Sequence, residues 1–436
     1  MNLIPTRYYK NGIAARWVVL EMLEAIFSHK IMLIDLKTSK DFSFFHLLPE
    51  EKARALSILE NILRNLSQID LTIQKYVKKT PKMRTFNVLR LAASEIILDK
   101  LPAHAVVNSS VELAKLDYRT KNQSGLVNAV CRKMAHKPFF LPLENYVYMD
   151  DPFMLKLRSI YGEVVARRIF EVHNSPPPVD LNFKDKKTFE QTSTIMKGRV
   201  LPLGTIRIEG KTNLSKLPGF KEGAWWVQDF ASSLPVKLLG SVKNKKVLDV
   251  CAAPGGKTMQ LCAAGAKVWA IDFSESRVER LRENLKRVDL KAQIIVEDIF
   301  EYKTKEKYDI VVVDVPCSAT GTMRRNFDLR FLNPLERVEK LRVTQKKMLM
   351  KCMDFTSDGG SILYCNCSLL PDEGEDIIRE TLEVVSGWDT QPLNLKNFSL
   401  NPSWSGVLGD LRLRPDYWGR IGGMDGFYAS LLSKKK

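Results

Sequence analysis

Two cysteines stand where thiol chemistry is accessible: Cys317, in Asp314-Val-Pro-Cys, and Cys367, in Tyr364-Cys-Asn-Cys-Ser. Each string leaves a short aliphatic, β-branched run, 309–313 or 361–365, of the kind that forms a buried parallel strand. Parallel strands deliver their carboxyl ends to one rim of a sheet, so both thiols are expected on that rim. Carbon 5 of a pyrimidine is a poor nucleophile until another nucleophile adds at carbon 6, and a thiolate suits that step. After alkylation a base must remove the carbon 5 proton so that the sulfur can leave. The expectation is Cys367 as nucleophile, Cys317 assisting release, and Asp314 steadying a cytosine ring through its polar edge. The competing reading makes them ordinary core cysteines, as Cys131, Cys262 and Cys352 are read.

A second string bears on ligand binding. Residues 247–257, Val-Leu-Asp-Val-Cys-Ala-Ala-Pro-Gly-Gly-Lys, read as a strand, a glycine turn and a helix start. The turn residues Cys251, Ala252, Ala253, Pro254, Gly255, Gly256 and Lys257 would let a ligand lie against backbone and meet free amides at the helix start. Asp272 ends the next strand, placed to accept from both hydroxyls of a ribose; this is a nucleoside-binding arrangement, neither G-x-G-x-x-G nor a phosphate loop. Asp298 and Asp314 close the following two strands. With Asp249 close behind, these acids are expected to converge at the point where strand order reverses.

These residues need a parallel sheet, and the texture from Lys246 onward supplies one. Candidate strands are 247–251, 267–271, 292–296, 309–313 and 361–365, alternating with amphipathic helices 275–288 and 335–353. The apolar run 426–432 would add an antiparallel edge strand, and the terminal lysines 434–436 a frayed end. From 14 to about 134 the apolar spacing is helical, as in Leu56, Leu59, Leu63 and Leu66. Pro138 and Pro142 mark a linker at 136–143. The organisation is therefore an all-helical domain (1–140), a small α/β subdomain (145–235) and an α/β domain (236–436).

The chain of 436 residues carries a net charge of +17, and residues 1–140 hold 22 Lys and Arg against 12 Asp and Glu. A polyanion is the natural partner. Arg324 and Arg325, just past Cys317, would contact its phosphates while the target base turns into the pocket. No apolar run is long enough to cross a bilayer, the N-terminus lacks a leader pattern, and seven cysteines without framework spacing fit a reducing cytoplasm. All five histidines precede the α/β domain. A histidine-dependent hydrolase or a metal site there is not expected.

The strings Cys251-Ala-Ala-Pro-Gly-Gly-Lys257, Asp314-Val-Pro-Cys-Ser-Ala-Thr-Gly321, Tyr364-Cys-Asn-Cys-Ser368 and Asp425-Gly-Phe-Tyr428 together resemble the RsmB/NOP family of RNA 5-methylcytosine methyltransferases. Trp226-Val-Gln-Asp229 is similar to the family segment ahead of the catalytic sheet. The resemblance implies a Rossmann-like class I methyltransferase domain with a mostly parallel seven-stranded sheet. It also implies S-adenosylmethionine held by 251–257, Asp272, Asp298 and Asp314, the covalent role at Cys367 and release at Cys317. Val88-Leu-Arg-Leu-Ala92, Val107-Asn-Ser-Ser-Val-Glu-Leu-Ala114 and Leu126-Val-Asn-Ala129 resemble the RNA-binding NusB fold. The fusion implies 16S ribosomal RNA as substrate. Asn326 and Phe327 stand where the family shows His and Pro, and Asp180 where many members have Arg; both places are expected to meet RNA. A cytoplasmic monomer without metal is expected. The rival is a non-catalytic, NusB-like antitermination factor with a vestigial methyltransferase domain, against which the retained Cys317 and Cys367 count.

Overall fold

The computed structural model describes residues 12–140, 151–210 and 212–435. The linker expected at 136–143 and the start of the subdomain expected at 145 fall partly outside them. The described chain forms two compact units.

The first unit is helical. Its helices Ile13–His29, Pro49–Arg64, Met83–Ala93, Ala103–Leu116 and Ser124–His136 bury apolar stripes that recur every three to four residues, such as Leu59, Ile62 and Leu63. A π-helical turn, Ser94–Leu98, turns Glu95 into the core, where Arg16 meets it at 2.8 Å. Asn326–Asn333 belongs to this unit as well. The Asp328 carboxylate accepts from the Leu33 amide at 2.8 Å, Phe331 meets Phe27 edge to face, and the Arg64 guanidinium lies 5.1 Å over the Phe327 ring. Phe327, half-buried, thus packs within the helical unit, while Asn326 is exposed.

The second unit holds two sheets. The smaller is antiparallel in the order β2-β3-β1-β4, from β1 Val179–Phe183, β2 Arg199–Leu201, β3 Thr205–Ile208 and β4 Trp225–Val227. Asp180 faces inward here. It forms a bidentate pair with Arg207 at 2.7 and 2.8 Å, both side chains fully buried, and accepts from the Phe230 amide. An acid at this position is thus matched internally rather than turned toward RNA.

The larger sheet runs β10-β12-β9-β8-β5-β6-β7, with β11 paired to β12 off that path. Its strands are β5 Lys246–Val250, β6 Lys267–Asp272, β7 Gln293–Val296, β8 Tyr308–Asp314, β9 Thr356–Asn366, β10 Trp388–Gln391, β11 Leu411–Leu413 and β12 Phe427–Lys434. Strands β7, β6, β5, β8 and β9 are parallel; the central residues of β5, β6, β8 and β9 are largely buried, while those of the outer β7 are only half-buried. Order reverses between β5 and β8, the crevice where ligands collect in such sheets. Strand β12 is antiparallel as expected but is not the edge: it lies between β9 and β10. Lys434 does not fray, because it closes β12 opposite Trp388 and pairs with Asp358 at 2.7 Å.

Candidate active site

The turn after β5 is tight. Cys251 and Gly255 both have positive φ (59° and 105°), and Gly255 opens the helix Gly256–Ala263. A side chain at Gly255 would be strained by that φ. The turn borders a cavity of about 250 Å³ lined by Gln228, Asp249, Cys251, Ala252, Ala253, Pro254, Gly256, Lys257, Asn284 and Asp314, among others. Lys257 reaches across β5 to Asp314, 2.7 Å from Nζ to Oδ2, and lies 4.9 Å over the Phe427 ring. Burial lowers its affinity for a proton, but Asp314 more than compensates and keeps the ammonium above its ordinary range.

The expected acids separate by role. Asp249 and Asp314 line the cavity. Asp272 is buried behind the turn, accepting from the Ala253 and Ser274 amides at 3.1 Å each, with Arg277 at 3.4 Å. Asp298 is exposed past the outer strand β7, outside the lining of that cavity, and accepts from the Phe300 amide at 3.0 Å. Strand β6 stands between β7 and β5. Burial, reinforced by the charges of Asp314 and Asp272, pushes Asp249 up to about 7 against the opposing effects of Thr258 and Lys257. Thr258 donates to its Oδ2 at 2.6 Å, while Oδ1 has no hydrogen-bond partner among the described residues.

The two cysteines meet. Parallel pairing sets Asp314 opposite Cys365, so three residues past one and two past the other the chains arrive side by side, with Cys317 Sγ 3.4 Å from Cys367 Sγ. The Gly321 amide donates to Cys367 O at 2.9 Å, and the Gly426 amide donates to Gly321 O at 2.8 Å. A Cβ on Gly321 would stand 2.2 Å from the Gly426 carbonyl oxygen, so only glycine allows this approach. Contact with Cys317 and burial, with Asp314 and Asp425 adding to both, push the Cys367 thiol well above its usual range. Cys365 is one layer down, fully buried among Val312, Leu363 and Ala429.

Arg324 is closed off from solvent, while Arg325 keeps about one-quarter of its side chain exposed. Arg324 is fully buried: it donates to Asp425 at 2.8 Å, to Gly422 O at 2.6 Å, and to Asp229. Arg325 shares both acids. Asp229 in turn caps the helix Phe230–Lys237 and accepts from the Asp425 amide at 3.0 Å. Burial raises Asp425, while the two guanidiniums hold Asp229 below the usual carboxylate range despite its own burial. Two cations and two anions thus close on one another and tie together three strings read separately in the sequence.

The sequence profile of the family described as "16S rRNA methyltransferase RsmB/F" matches residues 236–433, and that of the NusB family matches 14–136. Ribosomal RNA small subunit methyltransferase B of Cronobacter sakazakii is 30% identical over 76% of this chain and 82% of its own. The chain belongs to the RsmB/F family. The namesake from Proteus mirabilis is 28% identical over 88% and 91% of the two chains. In fold, the RsmB/F chain is similar to PH0851, with TM-score 0.74, 20% identity and coverage of 99% of this chain and 100% of that one. It is also similar to NSun6 from Pyrococcus horikoshii solved with SFG, with TM-score 0.56, 18% identity and coverage of 65% and 97%.

As an RsmB/F member the protein is an S-adenosylmethionine-dependent ribosomal RNA methyltransferase. The cavity suits that cofactor: its ammonium and sulfonium are cations, and the unpartnered Asp249 oxygen is an acceptor for one. Because Asp249 titrates higher folded than its unfolded value near ~3.9, its contribution to stability is complete below about pH 4 and lost as pH rises through about 7. Asp249→Asn is therefore expected to raise the melting temperature of the cofactor-free protein at pH 8. The same change is expected to weaken S-adenosylmethionine binding about tenfold or more. Thermal unfolding and calorimetric titration at pH 6 and 8 check both signs; unchanged affinity at pH 8 contradicts the assignment.

Two features escaped sequence reading. Gln228 and Asn284 line the cavity, the first inside the Trp226-Val-Gln-Asp229 string, the second without signal. Glu373, fully buried beside the cysteines, sits in a Pro-Asp-Glu stretch that reads as an ordinary surface turn. No helix among the described residues is long and apolar enough to cross a membrane, and no group of three His, Cys, Asp or Glu side chains there could hold a metal ion.

Proposed function

We propose that this enzyme methylates carbon 5 of a cytosine in 16S ribosomal RNA through a covalent adduct between Cys367 and carbon 6. The observation that carries the reading is the 3.4 Å approach of Cys317 to Cys367 at the carboxyl rim, next to the Asp314 that lines the cofactor cavity. Residues 251–257 and Asp272 shape the cofactor pocket, with Asp298 at its outer margin; S-adenosylmethionine supplies an electrophilic methyl group. Cys367 adds through sulfur to carbon 6, which makes carbon 5 nucleophilic. Asp314, about one-third exposed and anchored by Lys257, holds the polar edge of the base. Once carbon 5 carries the methyl group, its proton leaves, the electrons of that C–H bond restore the ring double bond, and the carbon–sulfur bond breaks. Cys317 serves that release step. The regions 1–140 and 145–235 carry the RNA and 236–436 the chemistry.

The test is a pair of substitutions assayed with RNA and S-adenosylmethionine on denaturing gels. Cys317→Ala is expected to accumulate a denaturant-resistant protein–RNA adduct, and Cys367→Ala to lose adduct and methylation together. Full activity in either variant rejects the division of labour, and mapping the product to a ring position other than carbon 5 rejects the chemistry.

A further inference from the structure

We infer that Glu373 is a positioning residue for Cys317 alone, and so for release of the methylated base, a proposal that rests on the covalent reading above. Its carboxylate grips Ser318, on one side of Cys317, directly, and reaches Pro316, on the other, through Gln345. Oε1 accepts from the Ser318 amide at 2.8 Å and from Gln345 Nε2 at 3.0 Å, Oε2 accepts from the Ser318 hydroxyl, and the same Gln345 amide donates to Pro316 O at 2.8 Å. The main chain of Glu373 does a different job. Its carbonyl accepts from Tyr364 Oη at 2.9 Å and Asn366 Nδ2 at 2.7 Å, on the strand that leads to Cys367.

Side chain and backbone of one residue therefore hold different cysteines. Removing the side chain takes away the acceptor of the Ser318 amide and loosens the Pro316–Ser318 segment, which keeps Gln345 on Pro316 and Ser368 on the Ser318 hydroxyl, and leaves the carbonyl anchor of the Cys367 strand in place. The carboxylate is fully buried, and the donors to it among the described residues are neutral. A buried acid held only by neutral donors adds little to stability for the desolvation it costs. Its value lies in geometry: it presents an acceptor at each of two points, where displacement of a reacting group by about 1 Å can cost about a hundredfold in rate.

The test compares Glu373→Ala, Glu373→Gln and Gln345→Leu in the full-length enzyme with ribosomal RNA, reading adduct, first-turnover methyl incorporation and steady-state turnover. Glu373→Ala is expected to accumulate adduct and to transfer its first methyl group within about threefold of the parent rate, yet to turn over about a hundredfold more slowly. Glu373→Gln keeps the shape and the acceptor for the Ser318 amide, and is expected to restore turnover to within about tenfold of the parent. Gln345→Leu releases only the Pro316 side, gives the same signature at smaller amplitude, and decides the matter should Glu373→Ala not fold. Parallel loss of adduct and first turnover, or turnover unaffected in Glu373→Ala, overturns the proposal. If Cys317→Ala itself traps nothing, it is the covalent reading that fails.

Discussion

Replacing Arg324 by methionine is expected to destabilise the protein by about 3–5 kcal/mol, the cost of leaving buried carboxylates without their partner. Asp229 and Asp425 would then share the single guanidinium of Arg325, and the Gly422 carbonyl would lose its donor. The effect should show in denaturant or thermal unfolding of the full chain, as a loss in the transition that reports the methyltransferase unit. Arg324→Lys is expected to rescue little, since one ammonium cannot reproduce the planar fork that serves both acids and the carbonyl. The opposite result is specific. A variant that unfolds like the parent but binds RNA with a shallower salt dependence would return Arg324 to the role of phosphate contact.

Adduct formation is expected to rise about tenfold per pH unit from pH 6 to 8 under single-turnover conditions, without a plateau below pH 9. The thiolate is the nucleophile, and its fraction grows tenfold per unit while pH lies below the thiol's pKa. Contact with Cys317 is the first cause of the elevated Cys367 value, followed by burial and the Asp314 and Asp425 charges. Cys317→Ala removes that first cause, so its profile should shift to lower pH. A plateau near pH 7 in the parent, or an unshifted profile in the variant, would mean that Cys367 is ionised by some other group.

The two predictions depend on features of different legibility. The turn 251–257, the acids ending β5, β6 and β8 and the paired cysteines could be read from order along the chain, because each is a local string attached to a strand whose direction is set by alternation with helices. Parallel strands end at one rim, so residue offsets from the strand ends suffice to bring Cys317 and Cys367 together. Offsets do not tell how far a strand lies from the crevice. Asp298 has the same local context as Asp272, yet β7 is the outermost parallel strand and leaves it exposed.

Charge was the least legible property. Arg324, Arg325 and Asp180 all look like surface positions in a basic protein, and each is instead compensated by a residue far along the chain: Asp229 and Asp425 for the arginines, Arg207 for Asp180. Phe327, half-buried, packs beneath Arg64 in the helical unit. The sequence by itself determined the architecture, the glycine turn after β5 and the two neighbouring thiols, because local pattern dictates strand, turn and helix. Only the tertiary structure decided which charges face solvent and which acid, Glu373, grips the loop that carries Cys317. Ion pairs and buried hydrogen bonds join residues by proximity in space, and nothing in their spacing along the chain records it.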